Sequence, residues 1–179
     1  CDATDTCSCD VGYIGLNCDL LVCYGKNESD LQVCGGHGIC TSPDTCTCTQ
    51  GYSDTTCETF FCSGVVHSNA SVCGGHGTCT LPDSCTCSQG YVGDECSTTV
   101  CYGLNATQAL VCSGHGDCLL PDQCNCHSGY LGSQCQHSTC YGRNETDAYV
   151  CSGNGICQSP DHCNCSNGYT NFDCSLSIC

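Results

Sequence analysis

The chain has no methionine, no tryptophan, only three phenylalanines, and just two cations, Lys26 and Arg143, against 18 Asp and Glu. Each shortage excludes something. Without large apolar side chains, 179 residues cannot bury a sizeable shared core, so conformational entropy must be offset by other means. With so few Lys and Arg, a net charge of −16 argues against binding nucleic acid or anionic membrane surfaces. It leaves room for a cation-dependent role, or for mutual repulsion and solubility. No apolar run approaches the roughly 20 residues of a spanning helix, so no membrane insertion is expected of this segment. No signal peptide is visible, and a start at Cys1 without an initiator Met reads as an excerpt of a longer secreted chain. Cys-x-x-Cys knuckles are also missing, which removes the usual paired zinc site.

What the sequence has in abundance is cysteine, 29 residues in all. A share above roughly 8–10% marks a disulfide scaffold and hence an oxidising, extracellular or cell-surface setting. The cysteines repeat with a period of 39 residues. Cys23, Cys62, Cys101, Cys140 and Cys179 open successive repeats, and every other cysteine follows the same shift. The expected domains are a truncated repeat at 1–22, whole repeats at 23–61, 62–100, 101–139 and 140–178, and the first cysteine of another at 179. Within a repeat the spacing is C-x10-C-x5-C-x5-C-x-C-x8-C, with four residues before the next. Val33, Val72, Val111 and Val150 precede the second cysteine. Pro43-Asp44, Pro82-Asp83, Pro121-Asp122 and Pro160-Asp161 are turn signals, through the fixed φ of proline and the local hydrogen bonding of Asp. No stretch has helical periodicity, and segments such as Thr45–Thr49 predict short two-stranded hairpins.

Six cysteines ending in C-x-C-x-x-G-Y-x-G-x-x-C resemble the epidermal-growth-factor-like (EGF-like) module. Residues 9–18, 87–96 and 126–135 fit that ending throughout, whereas Asp54 and Asn171 replace its second glycine. The short third gap is similar to the tenascin and teneurin variety; the first gap is longer. The residues alone allow 15 pairings of six cysteines. The resemblance implies first to third, second to fourth and fifth to sixth. That gives Cys23–Cys40, Cys34–Cys46, Cys48–Cys57, Cys62–Cys79, Cys73–Cys85 and Cys87–Cys96. It also gives Cys101–Cys118, Cys112–Cys124, Cys126–Cys135, Cys140–Cys157, Cys151–Cys163 and Cys165–Cys174, with Cys9–Cys18 in the truncated repeat. Cys1, Cys7 and Cys179 then find partners beyond the segment. The fold class expected is small and disulfide-rich, with tandem modules arranged as an elongated rod.

Asn27, Asn69, Asn105 and Asn144 each begin an Asn-x-Ser/Thr acceptor in the first loop of a repeat, so N-linked glycans are expected there. Asn69 sits three residues later in its loop than the others. A further match, Asn164-Cys165-Ser166, surrounds a disulfide cysteine and is set aside. Thr78, before the third cysteine, resembles the family's O-fucose position. Calcium is not expected. Calcium-holding modules carry acidic or amide ligands before the first cysteine, and here Leu20–Val22, Thr59–Phe61, Thr98–Val100 and Ser138-Thr139 are apolar or hydroxylic. Asp44, Asp83, Asp122 and Asp161 read as turn residues. So do His37, His76 and His115, since Asn154 stands in the fourth copy. Tyr13, Tyr52, Tyr91, Tyr130 and Tyr169 read as covers for the disulfides that also pack on the next repeat.

No nucleophile, base and orienter converge, so no enzyme is expected. A constant linker and a constant repeat length suit a lattice or fibre, in which each repeat meets an equivalent neighbour. The function expected is a structural, self-associating subunit of a glycosylated extracellular fibre, sheath or surface appendage. The flagellar hairs of protists (mastigonemes), which contain EGF-like arrays, are a specific resemblance. The alternatives are an adhesion or matrix-receptor ectodomain, and the stalk of a secreted enzyme.

Overall fold

A computed structural model describes residues 8–178; Cys1, Cys7 and Cys179 lie outside the described residues. These residues form short antiparallel strands and four one-turn 3-10 segments, with no α-helix among them. Two compact units divide the chain. One runs to Cys87 and includes Asp94–Cys96; the other holds Ser88–Gly93 and everything from Ser97. The same repeat recurs in both.

In the repeat that opens at Cys101, the core is Cys101, Val111, Cys112, Cys118 and Cys135. Apart from cysteine, the only buried apolar residues among the described residues are the valines before the second cysteine, Val33, Val72, Val111 and Val150, at 5–6% exposure. One valine per repeat cannot offset chain entropy. Three bridges closing short loops reduce that cost, each by about 3 kcal/mol, by restricting the unfolded chain. The structure joins first to third, second to fourth and fifth to sixth cysteine in every whole repeat. Cys9–Cys18 is the remaining bridge, and together they engage every cysteine among the described residues.

The central hairpin pairs Gly116–Leu120 with Gln123–Cys126, placing Cys118 opposite Cys124. Its Pro121-Asp122 turn puts Asp122 at φ 56, a region Asp tolerates. The Asp122 carboxylate then accepts the Tyr102 backbone N–H at 2.7 Å, fixing the start of the first loop. Asp44, Asp83 and Asp161 hold Tyr24, Ser63 and Tyr141 in the same way. Gly116 is glycine because of close approach: a Cβ there would lie 2.6 Å from the Cys135 sulfur and 2.7 Å from the Asn125 carbonyl.

The four-residue linkers are strands. Thr98–Cys101 pairs with Tyr91–Val92 of the preceding repeat on one edge and with Leu104–Asn105 on the other. Leu20–Cys23, Thr59–Cys62 and His137–Cys140 form equivalent three-stranded sheets. Each linker therefore belongs to two repeats at once. The joint closes where a glycine meets the next proline. Gly129 has φ 89, and a Cβ on it would lie 2.5 Å from Pro160 Cβ. The Thr139 N–H donates to the Gly129 carbonyl at 2.8 Å, and the Asp161 N–H to the Thr139 carbonyl at 3.0 Å.

Candidate glycan-acceptor loops

Each first loop runs from the end of a linker sheet to the buried valine. Its N–H groups would be orphaned without local partners, and Asn and Asp side chains supply them. In the first whole repeat the Asn27 carbonyl oxygen accepts the Ser29 N–H at 3.0 Å and its hydroxyl at 2.7 Å. Three residues on, the Asp30 carboxylate accepts the Gln32 N–H at 2.8 Å. The last repeat has the same pair of turns, from Asn144 to Thr146 and from Asp147 to Tyr149. The loop thus offers two equivalent turn positions three residues apart. In the second repeat Val66 occupies the first position, and Asn69 occupies the second, accepting the Ser71 N–H and hydroxyl at 2.9 Å each. That accounts for the displaced acceptor, which the spacing alone left unexplained. In the third repeat the Asn105 N–H donates to Gln108 Oε1 at 2.8 Å. Asn69 is exposed, while Asn27, Asn105 and Asn144 are half-buried at strand ends.

The middle residue of the last acceptor, Glu145, folds back onto the linker. Its carboxylate accepts the Ser138 hydroxyl at 2.7 Å and N–H at 3.1 Å, with the His137 ring at 2.9 Å. The Ser138 hydroxyl, followed by His137, lowers the Glu145 pKa from 4.5 to about 2. Asp54, where the motif has glycine, sits at φ 73. The Thr59 hydroxyl, together with the N–H and hydroxyl of Thr56, holds its carboxyl far below the usual carboxylate range. Asn171 is at φ 86 in the other departure. Asp and Asn are the residues that best tolerate the conformation glycine would otherwise supply.

The histidines of the Gly-x-Gly turns do more than turn. His37 stacks on Tyr52 at 3.9 Å between ring centres, and His115 on Tyr130 at 3.9 Å. In the fourth copy Asn154 donates instead to the Cys174 carbonyl at 3.3 Å. Tyr52 continues to the linker Phe60 at 5.5 Å, and Phe60 stacks on His67 at 4.2 Å. Sequence reasoning missed the stacks of His37 on Tyr52 and His115 on Tyr130, whose partners lie 15 residues apart with no local periodicity to signal them. Thr78 lies exposed on Gly77–Leu81, opposite Thr86. Sulfurs of Cys23, Cys34 and Cys46, and of their copies, lie within 4.8 Å of one another. All are in disulfides, and a disulfide has no thiolate to offer a metal.

Residues 71–99 match the teneurin-like EGF domain family, and residues 106–135 match the EGF-like domain family. Those matches fall on two different repeats of one pattern. The chain is a tandem EGF-like repeat protein. No curated protein matches it significantly. The EGF-like modules and their disulfides suit an extracellular structural or adhesion ectodomain. No helix among the described residues is long and apolar enough to cross a membrane.

Proposed function

We propose that the chain is a structural subunit of an extracellular, N-glycosylated fibre or surface appendage. The observation that carries the reading is the joint. Leu20–Cys23, Thr59–Cys62, Thr98–Cys101 and His137–Cys140 are each the central strand of a sheet shared by two successive repeats, and a glycine–proline contact closes it. This joint recurs along the chain without change in length. Glycans on Asn27, Asn69, Asn105 and Asn144 would coat the first loops, where Asx turns at Asn27, Asn69 and Asn144 set the side-chain amide beside its Ser or Thr hydroxyl. Calcium has no part in this reading, because Leu20–Val22, Thr59–Phe61, Thr98–Val100 and Ser138-Thr139, just before the first cysteines, offer no carboxylate or amide ligand.

Negative-stain microscopy of native material tests it. Ordered filaments with a subunit repeat are the expected result; monodisperse particles that bind a heterologous protein would overturn it. Treatment with an N-glycosidase should lower the intact mass at up to four sites, and an unchanged mass would remove the glycan part.

One observation favours the second reading, an adhesion or matrix-receptor ectodomain. The last repeat exposes Tyr141, Tyr149 and Phe172, and Tyr141 and Tyr149 line a cleft; exposed aromatic surface of this kind suits a binding face.

A further inference from the structure

The chain's two cations occupy one position of the repeat. Lys26 and Arg143 lie three repeats apart, and the second and third repeats carry Val65 and Leu104 there. Both cations line a cleft between the first loop and the end of their repeat. In the fourth repeat the walls include Tyr141, Arg143, Tyr149, Ser152 and Asp173, around about 330 Å³. The cleft of the first repeat, with Tyr24, Lys26, Gln32 and Glu58, is about 110 Å³, and the Lys26 ammonium is already donated to the Gln32 carbonyl at 2.9 Å. Small-molecule sites begin at roughly 300 Å³, so of these two clefts the fourth repeat's has room for a ligand ring.

Its walls are held in place. The Tyr141 hydroxyl donates to the Asp161 carbonyl at 2.8 Å, and its ring packs against Phe172 at 5.2 Å. The Arg143 guanidinium lies 6.0 Å from the Tyr149 ring centre and 3.3 Å from Asp147. The Asp173 carboxylate accepts the Ser175 hydroxyl at 2.6 Å and N–H at 3.2 Å, which lowers its pKa and leaves it an acceptor only. The cleft therefore presents fixed donors, a fixed acceptor and two aromatic rings. An anion would meet Asp147 and Asp173, and a cation would meet Arg143. A sugar meets neither objection. Its hydroxyls both donate and accept, and its C–H face lies well on a tyrosine ring.

We propose that the cleft of the fourth repeat binds a neutral saccharide, a hexose or N-acetylhexosamine ring laid against Tyr149 and Tyr141. Arg143 and Asp173 take its hydroxyls as donor and acceptor. This holds whether the chain builds a fibre or serves adhesion.

The test is an amide NMR titration of the whole chain after N-glycosidase treatment, which clears the neighbouring Asn144. The probes are methyl α-mannoside and N,N′-diacetylchitobiose. Saturable shifts at Tyr141, Tyr149, Ser152 and Asp173 are expected with at least one probe. Tyr149→Ala should weaken binding about tenfold, Tyr149→Phe should preserve it, and Arg143→Leu, which installs the third repeat's residue, should abolish it. Tyr149 is 71% exposed, so the Ala variant keeps its fold, which disulfide mapping checks. Absence of shifts at these residues with both probes would overturn the proposal. So would shifts indifferent to Tyr149→Ala and Arg143→Leu, or tighter binding of a uronic acid. Titrating labelled, deglycosylated chain with unlabelled glycosylated chain identifies the source. Shifts at the same amides assign a neighbouring copy's glycan; shifts with free sugar alone assign a free saccharide. Either result supports the cleft.

Discussion

Val111 shows how much a single side chain matters when the rest of the core is sulfur. It is 6% exposed and packs among Cys101, Cys112, Cys118 and Cys135. Val111→Ala should destabilise its repeat by about 2 kcal/mol. Hydrogen exchange at the Gly116–Leu120 hairpin should rise, with exchange in the hairpin at Gly38–Ser42 unchanged. Glu145 gives a second residue-level outcome. Its pKa falls on folding from 4.5 to about 2. The unfolded chain therefore binds the proton more readily, so the stabilisation is complete above about pH 4.5 and is lost as the pH falls towards 2. Exchange of the Ser138 amide should quicken across that window, and Glu145→Gln, which keeps the acceptor sequence intact, should flatten the change. The valines and the Asp turns were legible as repeating positions. The stack of His115 on Tyr130 and the grip of Glu145 on Ser138 were not, because each joins residues that only the bridged fold brings together.

At the scale of elements, the joint is a specific claim about two glycines. Gly129 has a positive φ and touches Pro160, whereas Gly103, at φ 82, has open space where a Cβ would stand, with nothing within 4 Å. Gly103→Ala should cost about 1 kcal/mol through backbone strain alone. Gly129→Ala should cost more and open the sheet between His137–Cys140 and Tyr130–Leu131, read as faster amide exchange of Thr139. The first loops make a similar point about legibility. The four Asn-x-Ser/Thr sequons were plain in the sequence, but the displacement of Asn69 made sense only once two turn positions three residues apart were visible. Linkers of four residues read as spacers because nothing in Thr-Phe-Phe or Thr-Thr-Val identifies which strand will pair on each edge. The cysteine pairing likewise came from family resemblance; spacing alone left it open.

At the scale of the whole molecule, charge and bridging dominate. A chain of net charge −16 that assembles with its copies does so against its own field. Self-association should therefore strengthen as the ionic strength rises from about 0.01 to 0.15 M and the screening length shortens from about 30 to 8 Å. Sedimentation across that range checks it, and association that weakens with salt would count against assembly between like-charged copies. Every bridge in a whole repeat is internal to it. Replacing Cys151 and Cys163 by serine should cost about 2–5 kcal/mol. The loss should be confined to the repeat opening at Cys140, with the hairpin at Gly38–Ser42 retaining its protection from exchange.

The glycine–proline contact carries one last consequence, for how such a chain can change. Gly12 meets Pro43, Gly51 meets Pro82, Gly90 meets Pro121 and Gly129 meets Pro160, all with the same mating surfaces. Any repeat can then follow any other. Excising or inserting 39 residues at equivalent points would leave a native joint, so copy number is free to drift while a one-residue insertion in a linker is not.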